Sequence, residues 1–591
     1  MLRVVLLCYL GFASSSPPYC QPGDTCWPSQ EEVETFASTL SPVPENDEEC
    51  MGLPTFSSVE QQGDPILNSW YPEAPEEITP YQLANFRNKV ADDLFGYFVV
   101  IARNESDVVK TVQFATSHNL GLSVFSTGHE FNDRNAGSGA NSLLIRTTCL
   151  RTVEFDLEDK NRFDHPDGSV RLGSGMTWGE SKFGAKGVHE LAYNHKRVVV
   201  SGHAGNVGIV GWSLGGGHGQ LVGAFGMGVD QVLEVEMVIA DGSNVVANAE
   251  GTLVTSEGGL SEHTENADLF WALRGGGAGP WGIITAMTMK VHKPRNSCET
   301  GCYSQSMMIW KSNFNIDDGK MMEDVAAAYL SWVSTSSKHW SSYAVPTVDV
   351  EGVYGFMIFE ALYVGKEEDE GDYWSLEEAM ANVYPDKLTY KHTDVFDTFY
   401  DKLKVQAPES VYSNSHIDMM PSVLLNATSA SDPEFPKMLV DNWIPRCYRN
   451  GVGPSCVYTY LFMHTLTGAE DDDYTDSAVS LTFRKAKMHI SALSYLSLGS
   501  ELNFEERVEF AHDVVGPAFY KYSEGSYYSE SEYSLNGNWK ERFWGAQNYQ
   551  RLLSIKRTWD PTFVFICRHC VGDEEEPGQV DGHTMPTWRR N

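Results

Sequence analysis

Short apolar runs bounded by turn residues recur along the first half of the chain, and longer alternating ones along the second. Residues 97–102 predict a buried strand. Val108, Val109, Val112 and Ala115 then fall on one helical face, with Asn104 or Ser106 placed to cap it. Residues 122–125, 143–145, 153–155, 170–172 and 198–200 predict short strands, and 232–240 and 283–291 longer ones. Helices are expected around 178–187 and 268–273. From about residue 294 the texture changes: alternating runs such as 353–364 and 457–466 are interleaved with helix candidates at 321–333 and 504–520. That pattern predicts antiparallel sheet backed by helices. Residues 539–559 predict a single helix, stopped by Asp560-Pro561. The fold class is α+β.

These textures divide the chain into a first domain, residues 86–293, a second, 294–535, and a C-terminal segment, 536–570. The acidic, Pro- and Gly-containing tail 571–591 reads as disordered by composition. Residues 17–85 are rich in Pro, Glu and Ser and carry Cys20, Cys26 and Cys50, which suggests a loop-rich extension pinned by disulfides. Residues 1–16 read as a secretory signal: Arg3, an apolar stretch 4–13, then Ser14, Ser15 and Ser16. This stretch is far shorter than the roughly 20 residues needed to span a bilayer. No other stretch is long enough, so no transmembrane helix is expected.

Cysteine usage agrees with export. Of 11 cysteines, Cys8 lies in the signal, leaving ten for up to five bridges in an oxidising compartment. Cys298 with Cys302 and Cys447 with Cys456 are close enough in sequence to pair, although spacing does not fix connectivity. Asn104-Glu105-Ser106 and Asn426-Ala427-Thr428 are acceptor motifs for N-glycosylation. The formal charge is −37, from 43 basic and 80 acidic residues. Such a surface repels nucleic acid and anionic membranes and favours solubility, so a small-molecule partner is expected and the oligomeric state stays open.

Two loops carry the candidate chemistry. Val207-Gly208 leads into Gly215-Gly216-Gly217-His218-Gly219, where backbone without Cβ atoms can approach a ligand and successive N–H groups can cradle phosphate. Upstream, Ser126-Thr127-Gly128-His129-Glu130 sets a histidine beside a glycine. Two such loops separated by strands point to a dinucleotide cofactor. A nicotinamide site needs G-x-G-x-x-G between a strand and a helix, and two candidate stretches fail: Gly173-Ser174-Gly175 meets its next glycine one residue late, at Gly179, and Gly226-Met227-Gly228 is followed by Gln231.

With two further motifs the chain resembles the vanillyl-alcohol-oxidase type of FAD-linked oxidases, on the berberine-bridge-enzyme-like branch. These are residues 273–283, Leu-Arg-Gly-Gly-Gly-Ala-Gly-Pro-Trp-Gly-Ile, and Asn548-Tyr549 opening the last helix. The match runs over about residues 90–570. The resemblance implies a two-part FAD-binding domain of the PCMH type and an antiparallel-sheet substrate domain. It assigns to the cofactor Ser126, Thr127, Gly128, His129 and Glu130; Asn206, Val207, Gly211, Gly215, Gly216, Gly217, His218 and Gly219; Ile283; and Asn548 with Tyr549. It further implies an 8α-histidyl bond from His129 to the flavin. Doubly linked members carry a cysteine where this chain has Ala204, so a single covalent link is expected. Valine at the Val207 position goes with oxygen access in the family, and His218 belongs there to the polar network at the flavin's N1/C2=O edge.

The resemblance also places residues 527–532, Tyr-Tyr-Ser-Glu-Ser-Glu, on the pocket wall. That makes Tyr527 and Glu530 candidate proton acceptors, with Tyr495 and His489 on the strand-like stretch 488–498 as alternatives. The expected reaction is hydride transfer from a substrate C–H, in an alcohol, a sugar or a phenolic or alkaloid-like compound, with O2 as acceptor and H2O2 as product. A dehydrogenase using another acceptor and a secreted flavoprotein that only binds are the competing readings. Cys567-Arg568-His569-Cys570 could serve a thiol oxidase or half a zinc site, but no second CxxC accompanies it, and no metal is expected.

Overall fold

The computed structural model describes residues 19–20, 23–42, 66–68, 98–127, 129–130, 134, 142–158, 162–180, 185–294, 303–311, 319–348, 354–365, 372–405, 415–440, 459–466, 476–497, 516–531, 535, 538–565 and 567–573. The signal, Gly128, Cys50, the Cys298/Cys302 and Cys447/Cys456 pairs and the tail after 573 lie outside them. So does most of the helix expected at 504–520, of which Gly516–Tyr520 is seen.

The first domain holds two sheets, and a strand from the preceding extension joins one of them. β1 (Ile66–Asn68), β2 (Phe98–Ile101), β3 (Gly121–Phe125) and β4 (Ser142–Arg146) form one, in the order β1-β2-β4-β3. β2 and β3 both run parallel to β4, and β1 is antiparallel to β2. Parallel neighbours need a crossover, and Glu105–Ser117 supplies it between β2 and β3. Asn104 caps that helix by accepting from the Asp107 N–H, and Val108, Val112 and Ala115 bury its apolar face.

The second sheet contains β5 (Val153–Asp156), β6 (Ser169–Gly173), β7 (Val232–Val238), β8 (Asn244–Asn248), β9 (Gly251–Thr255), β10 (Ser261–Thr264) and β11 (Ile283–Lys290). It is antiparallel throughout, in the order β10-β9-β8-β7-β11-β6-β5.

The second domain is one antiparallel sheet of β12 (Tyr303–Lys311), β13 (Trp340–Val348), β14 (Tyr354–Val364), β15 (Leu388–Phe396), β16 (Ser415–Leu425), β17 (Thr459–Thr465) and β18 (Met488–Ser497). Their order is β15-β12-β14-β13-β17-β18-β16. Period-2 alternation gives this sheet two faces. Ala344, Ile358, Met463 and Ile490 pack with Met322, Val325 and Tyr329 of helix Lys320–Thr335 into one core. The neighbouring positions Tyr343, Glu360, His464 and His489 form a row across four strands: Glu360 pairs with Tyr343, Tyr343 with His464, and His464 with His489. This polar row meets the first domain.

Three expectations differ from the structure. Residues 198–200 make an isolated bridge, Val198 with His292, because Val198 pairs with the strand's tail and no other partner extends it. The helix expected around 178–187 is instead Val188–Asn194. The stretch 539–559 is two helices, Trp539–Trp544 and Ala546–Trp559, broken at Gly545, whose φ of 77° no regular helix adopts.

The C-terminal segment returns to the first domain. Buried Lys556 donates to Asp560 (2.6 Å), the Pro280 carbonyl (2.7 Å) and the Phe565 carbonyl (2.8 Å). Phe565 then bridges Leu122 beside β3. Among the described residues, no helix is long and apolar enough to cross a membrane.

Candidate active site

A cavity of about 400 Å³ opens where the first domain, the polar row and the C-terminal segment converge. Ser123 lines it from β3 and Ser126, Thr127, His129 and Glu130 from the loop that follows, with Val207, Gly208, Gly211 and Trp212 from the second loop and helix Ile209–Leu214. The two loops touch: the Gly208 N–H donates to Thr127 Oγ1 over 3.1 Å, and a Cβ on Gly208 would stand 3.1 Å from Ser126 Oγ. Arg134 in the wall is engaged, donating to Glu130 Oε1 (3.0 Å), the Tyr528 carbonyl (2.9 Å) and the Arg568 carbonyl (3.0 Å).

The opposite wall is aromatic and imidazole-rich. His203, Tyr343, Phe359, His464, His489, Tyr527 and Glu530 line it together with His218. The His464 ring stacks on Tyr343 at 3.9 Å between centroids and stands 4.5 Å from that of His218. Glu530 Oε1 lies 3.3 Å from His218 Nε2, and Oε2 lies 3.6 Å from His489 Nδ1. Burial pushes His489 down to about 3, partly opposed by Glu530, and pushes His464 well below the usual imidazole range, so both are neutral. Burial and the nearby Glu530 carboxylate push Tyr527 up. Tyr527 therefore keeps its proton at neutral pH, and its buried hydroxyl, which has no hydrogen-bond partner among the described residues, can donate to a ligand, whereas the carboxylate of Glu530 is placed to accept.

Several expected positions lie elsewhere. Gly215, Gly216, Gly217 and Gly219 do not line the cavity; they let other chain pass closely behind it. A Cβ on Gly219 would sit 1.9 Å from the Ser201 carbonyl oxygen, and one on Gly215 2.1 Å from Ser529 Oγ. Ile283 is buried against Val238 in a neighbouring core, while Gly282 and Ile284 on either side reach the cavity. Asn548 stands within helix Ala546–Trp559, whose N-cap is Gly545, and donates to the Ala478 carbonyl over 3.3 Å. Tyr549 is buried between Trp539 and Trp544, its hydroxyl accepting from the Gly572 N–H. Asn206 is half-buried, and its Oδ1 lacks a hydrogen-bond partner. Tyr495 lies on β18 in register with Ile417.

Sequence reasoning missed His203, Tyr343, Glu360, Lys402 and His464. Glu360 accepts from Lys402 Nζ (2.7 Å) and from Gln220, and His203 Nε2 stands 3.4 Å away. Burial alone would raise the Glu360 carboxyl, but Lys402 and His203 hold it well below the usual range. The available signal was a charge inside an apolar strand, Ile358-Phe359-Glu360-Ala361-Leu362, and a histidine in Leu461-Phe462-Met463-His464.

The cavity suits an elongated cofactor. At the end toward β3 the hydroxyls of Ser123 and Ser174 are buried without hydrogen-bond partners, and at the other end so are both ring nitrogens of His218. Residues 97–248 match the FAD binding domain family, and residues 514–572 the berberine and berberine-like family. The chain is an FAD-linked oxidoreductase of the vanillyl-alcohol-oxidase type, on its berberine-bridge-like branch. The oxidoreductase is 27% identical to FAD-linked oxidoreductase orf1 of Neocamarosporium betae, over 95% of this chain and 93% of that one. It is 24% identical to the VAO-type flavoprotein oxidase VAO615 of Thermothelomyces thermophilus, over 94% and 93%. Its fold matches the crystal structure of the VAO-type flavoprotein MtVAO615 from Myceliophthora thermophila C1 with a TM-score of 0.70 at 22% identity, covering 94% of this chain and 97% of that one. Glucooligosaccharide oxidase of Acremonium strictum follows at a TM-score of 0.59 and 18% identity, covering 82% and 91%.

Proposed function

We propose that this oxidoreductase oxidises a carbinol carbon of an uncharged, hydroxyl-bearing small molecule, with O2 as acceptor and H2O2 as product. One observation carries the reading: a carboxylate, Glu530, faces two buried histidines in the cavity that also gathers both cofactor loops. When bound, FAD supplies the electron sink for the hydride. The protein's part is to hold the substrate C–H in place and to receive the hydroxyl proton. Glu530 is the acceptor, and Tyr527, protonated and buried, donates a hydrogen bond to the substrate oxygen.

The substrate class follows from the wall. Arg134 is already engaged, and the imidazoles of His464 and His489 are neutral, so a carboxylate or phosphate gains little there. Aromatic rings beside hydroxyl-binding groups suit sugars, alcohols and phenolic or alkaloid-like compounds.

His129, in the cavity wall, is the residue proposed to bond the flavin covalently. The fold-related glucooligosaccharide oxidase carries 6-S-cysteinyl, 8α-N1-histidyl FAD. Ala204 offers no thiol, so the proposed link is single. Export is proposed as well, supported by the pattern of residues 1–16 and by the Cys20–Cys26 and Cys567–Cys570 disulfides.

The deciding experiment is a panel of alcohols, sugars and phenolics, read by anaerobic flavin bleaching and then by peroxide release in air. Bleaching without peroxide would favour a dehydrogenase, and no bleaching across the panel a binding protein. Acid-precipitated protein should stay yellow, with the flavin mass on the tryptic peptide containing His129; complete release of flavin would exclude the covalent link.

A further inference from the structure

The distances from Glu530 to the two histidines are long for charge-assisted hydrogen bonds. Charge-assisted N–H···O contacts run about 2.7–2.9 Å. Glu530 Oε1 stands 3.3 Å from His218 Nε2, and its Oε2 stands 3.6 Å from His489 Nδ1. Bonds of about 2.0–2.2 Å to a central ion at tetrahedral angles separate neighbouring ligand atoms by roughly 3.3–3.6 Å. One atom from each of His218, His489 and Glu530 lies within 4.8 Å of the other two. We propose that His218 Nε2, His489 Nδ1 and a Glu530 oxygen form a binding site for a divalent cation of the zinc class, with its fourth position open to the cavity.

Three further observations favour a cation there. His218 is 5% exposed, and neither of its ring nitrogens has a hydrogen-bond partner. A buried imidazole so placed implies a ligand that is neither backbone nor side chain. His489 is oriented from behind: its Nε2 lies 2.8 Å from Ser422 Oγ. With the proton on Nε2, donated to Ser422, the Nδ1 lone pair points at a carboxylate, an arrangement that a cation between them makes favourable. The other tautomer would leave the Nδ1–H facing Glu530 at an N···O distance of 3.6 Å, beyond hydrogen-bond reach. This is how outer partners fix a metal-binding histidine. Finally, the donor set matches: two imidazole nitrogens and one carboxylate oxygen are the ligand atoms that a zinc-class cation takes.

Two histidines and a glutamate with an open position is a ligand set found in catalytic zinc sites. An ion there would hold a substrate oxygen as a Lewis acid. Its use thus rests on the proposed oxidation, but its existence does not. No single domain suffices to build the site: His218 comes from the first domain, His489 from β18, and Glu530 from the short 3-10 turn Tyr528–Glu530. The expectation of no metal rested on cysteine spacing, which gives no view of ligands this far apart in the chain.

The test equilibrates the flavin-loaded protein with Zn2+, removes loose ions by gel filtration, and counts retained zinc by mass spectrometry. Wild type should retain close to one ion per flavin, and Glu530→Gln and His489→Ala little. Glu530→Gln keeps the side chain's shape, and an unchanged flavin circular dichroism spectrum establishes that each variant is folded. Ser422→Ala should weaken Zn2+ binding by about 10- to 100-fold. No zinc in wild type overturns the proposal, as does equal retention in wild type and both ligand variants. Zinc retained in wild type alone, with no substrate bleaching the flavin, would leave the site standing and remove the proposed reaction.

Discussion

Lys402 Nζ donates to Glu360 Oε2 over 2.7 Å, with both side chains almost wholly buried; the lysine comes from helix Phe399–Val405, which packs on β15 and helix Val188–Asn194, and the glutamate from β14. Removing one member of such a pair leaves an uncompensated charge and costs about 3–5 kcal/mol, whereas replacing both with apolar groups is often neutral. Lys402→Met should therefore lower stability by that amount, and Glu360→Met combined with Lys402→Met should recover most of it. Thermal unfolding of the two proteins checks this. A double variant no better than the single one would show that Gln220 and His203 depend on Glu360 as much as Lys402 does.

Gly545 isolates a backbone effect. Its φ is 77°, ψ 153°, and a Cβ built on it meets nothing within 4 Å. Gly545→Ala should cost about 1–3 kcal/mol from conformational strain alone. Denaturant unfolding that shows no loss would mean the two C-terminal helices can merge into one at little cost.

That break also shows where sequence reasoning ran out. Apolar spacing across 539–559 was continuous enough to predict one helix, and nothing local marks Gly545 as a bend rather than a tolerated helical glycine. The first domain's strands were legible because each is short, apolar and followed by turn residues. The cofactor loops were legible as glycine clusters, but not the division of labour within them: Gly219 answers to the carbonyl of Ser201, 18 positions earlier and outside any local turn pattern. The imidazole wall was illegible for a similar reason. His464 and His489 become neighbours through strand pairing, and Tyr343 and Glu360 join them from two further strands. Glu530 was found through motif resemblance, yet its partners only through the fold.

The two half-reactions should separate by residue. Glu530→Gln removes the proposed acceptor, and a positioned base is worth about 10²–10⁴ in rate. Anaerobic flavin reduction should slow by that factor, with reoxidation by O2 nearly unchanged. Val207, in the cavity wall on the loop assigned to the flavin, predicts the converse. Val207→Leu should slow reoxidation by crowding that face and spare reduction. Stopped-flow measurement of both halves decides. Equal effects of both substitutions on both halves would defeat the assignment.

The last prediction concerns acid. Burial holds His189 and His489 down to about 3 and His292 to about 4, and holds His464 well below the usual imidazole range. An unfolded histidine titrates near 6.5, at about 1.4 kcal/mol per pKa unit of difference. Between about pH 6.5 and 4 the unfolded chain therefore binds protons that the folded chain refuses. Stability must fall as pH falls through that window, and the loss is complete once pH passes the folded values. His292 is the useful probe because it does not line the cavity and pairs with Gln231 Oε1 at 2.6 Å. His292→Gln removes one titrating group while leaving carboxylates and cofactor contacts alone. The stability lost by wild type between pH 7 and pH 5 should shrink in the variant by up to about 2 kcal/mol. Chemical denaturation at the two pH values measures it, and identical losses in both proteins would mean that His292 takes up its proton without unfolding the chain.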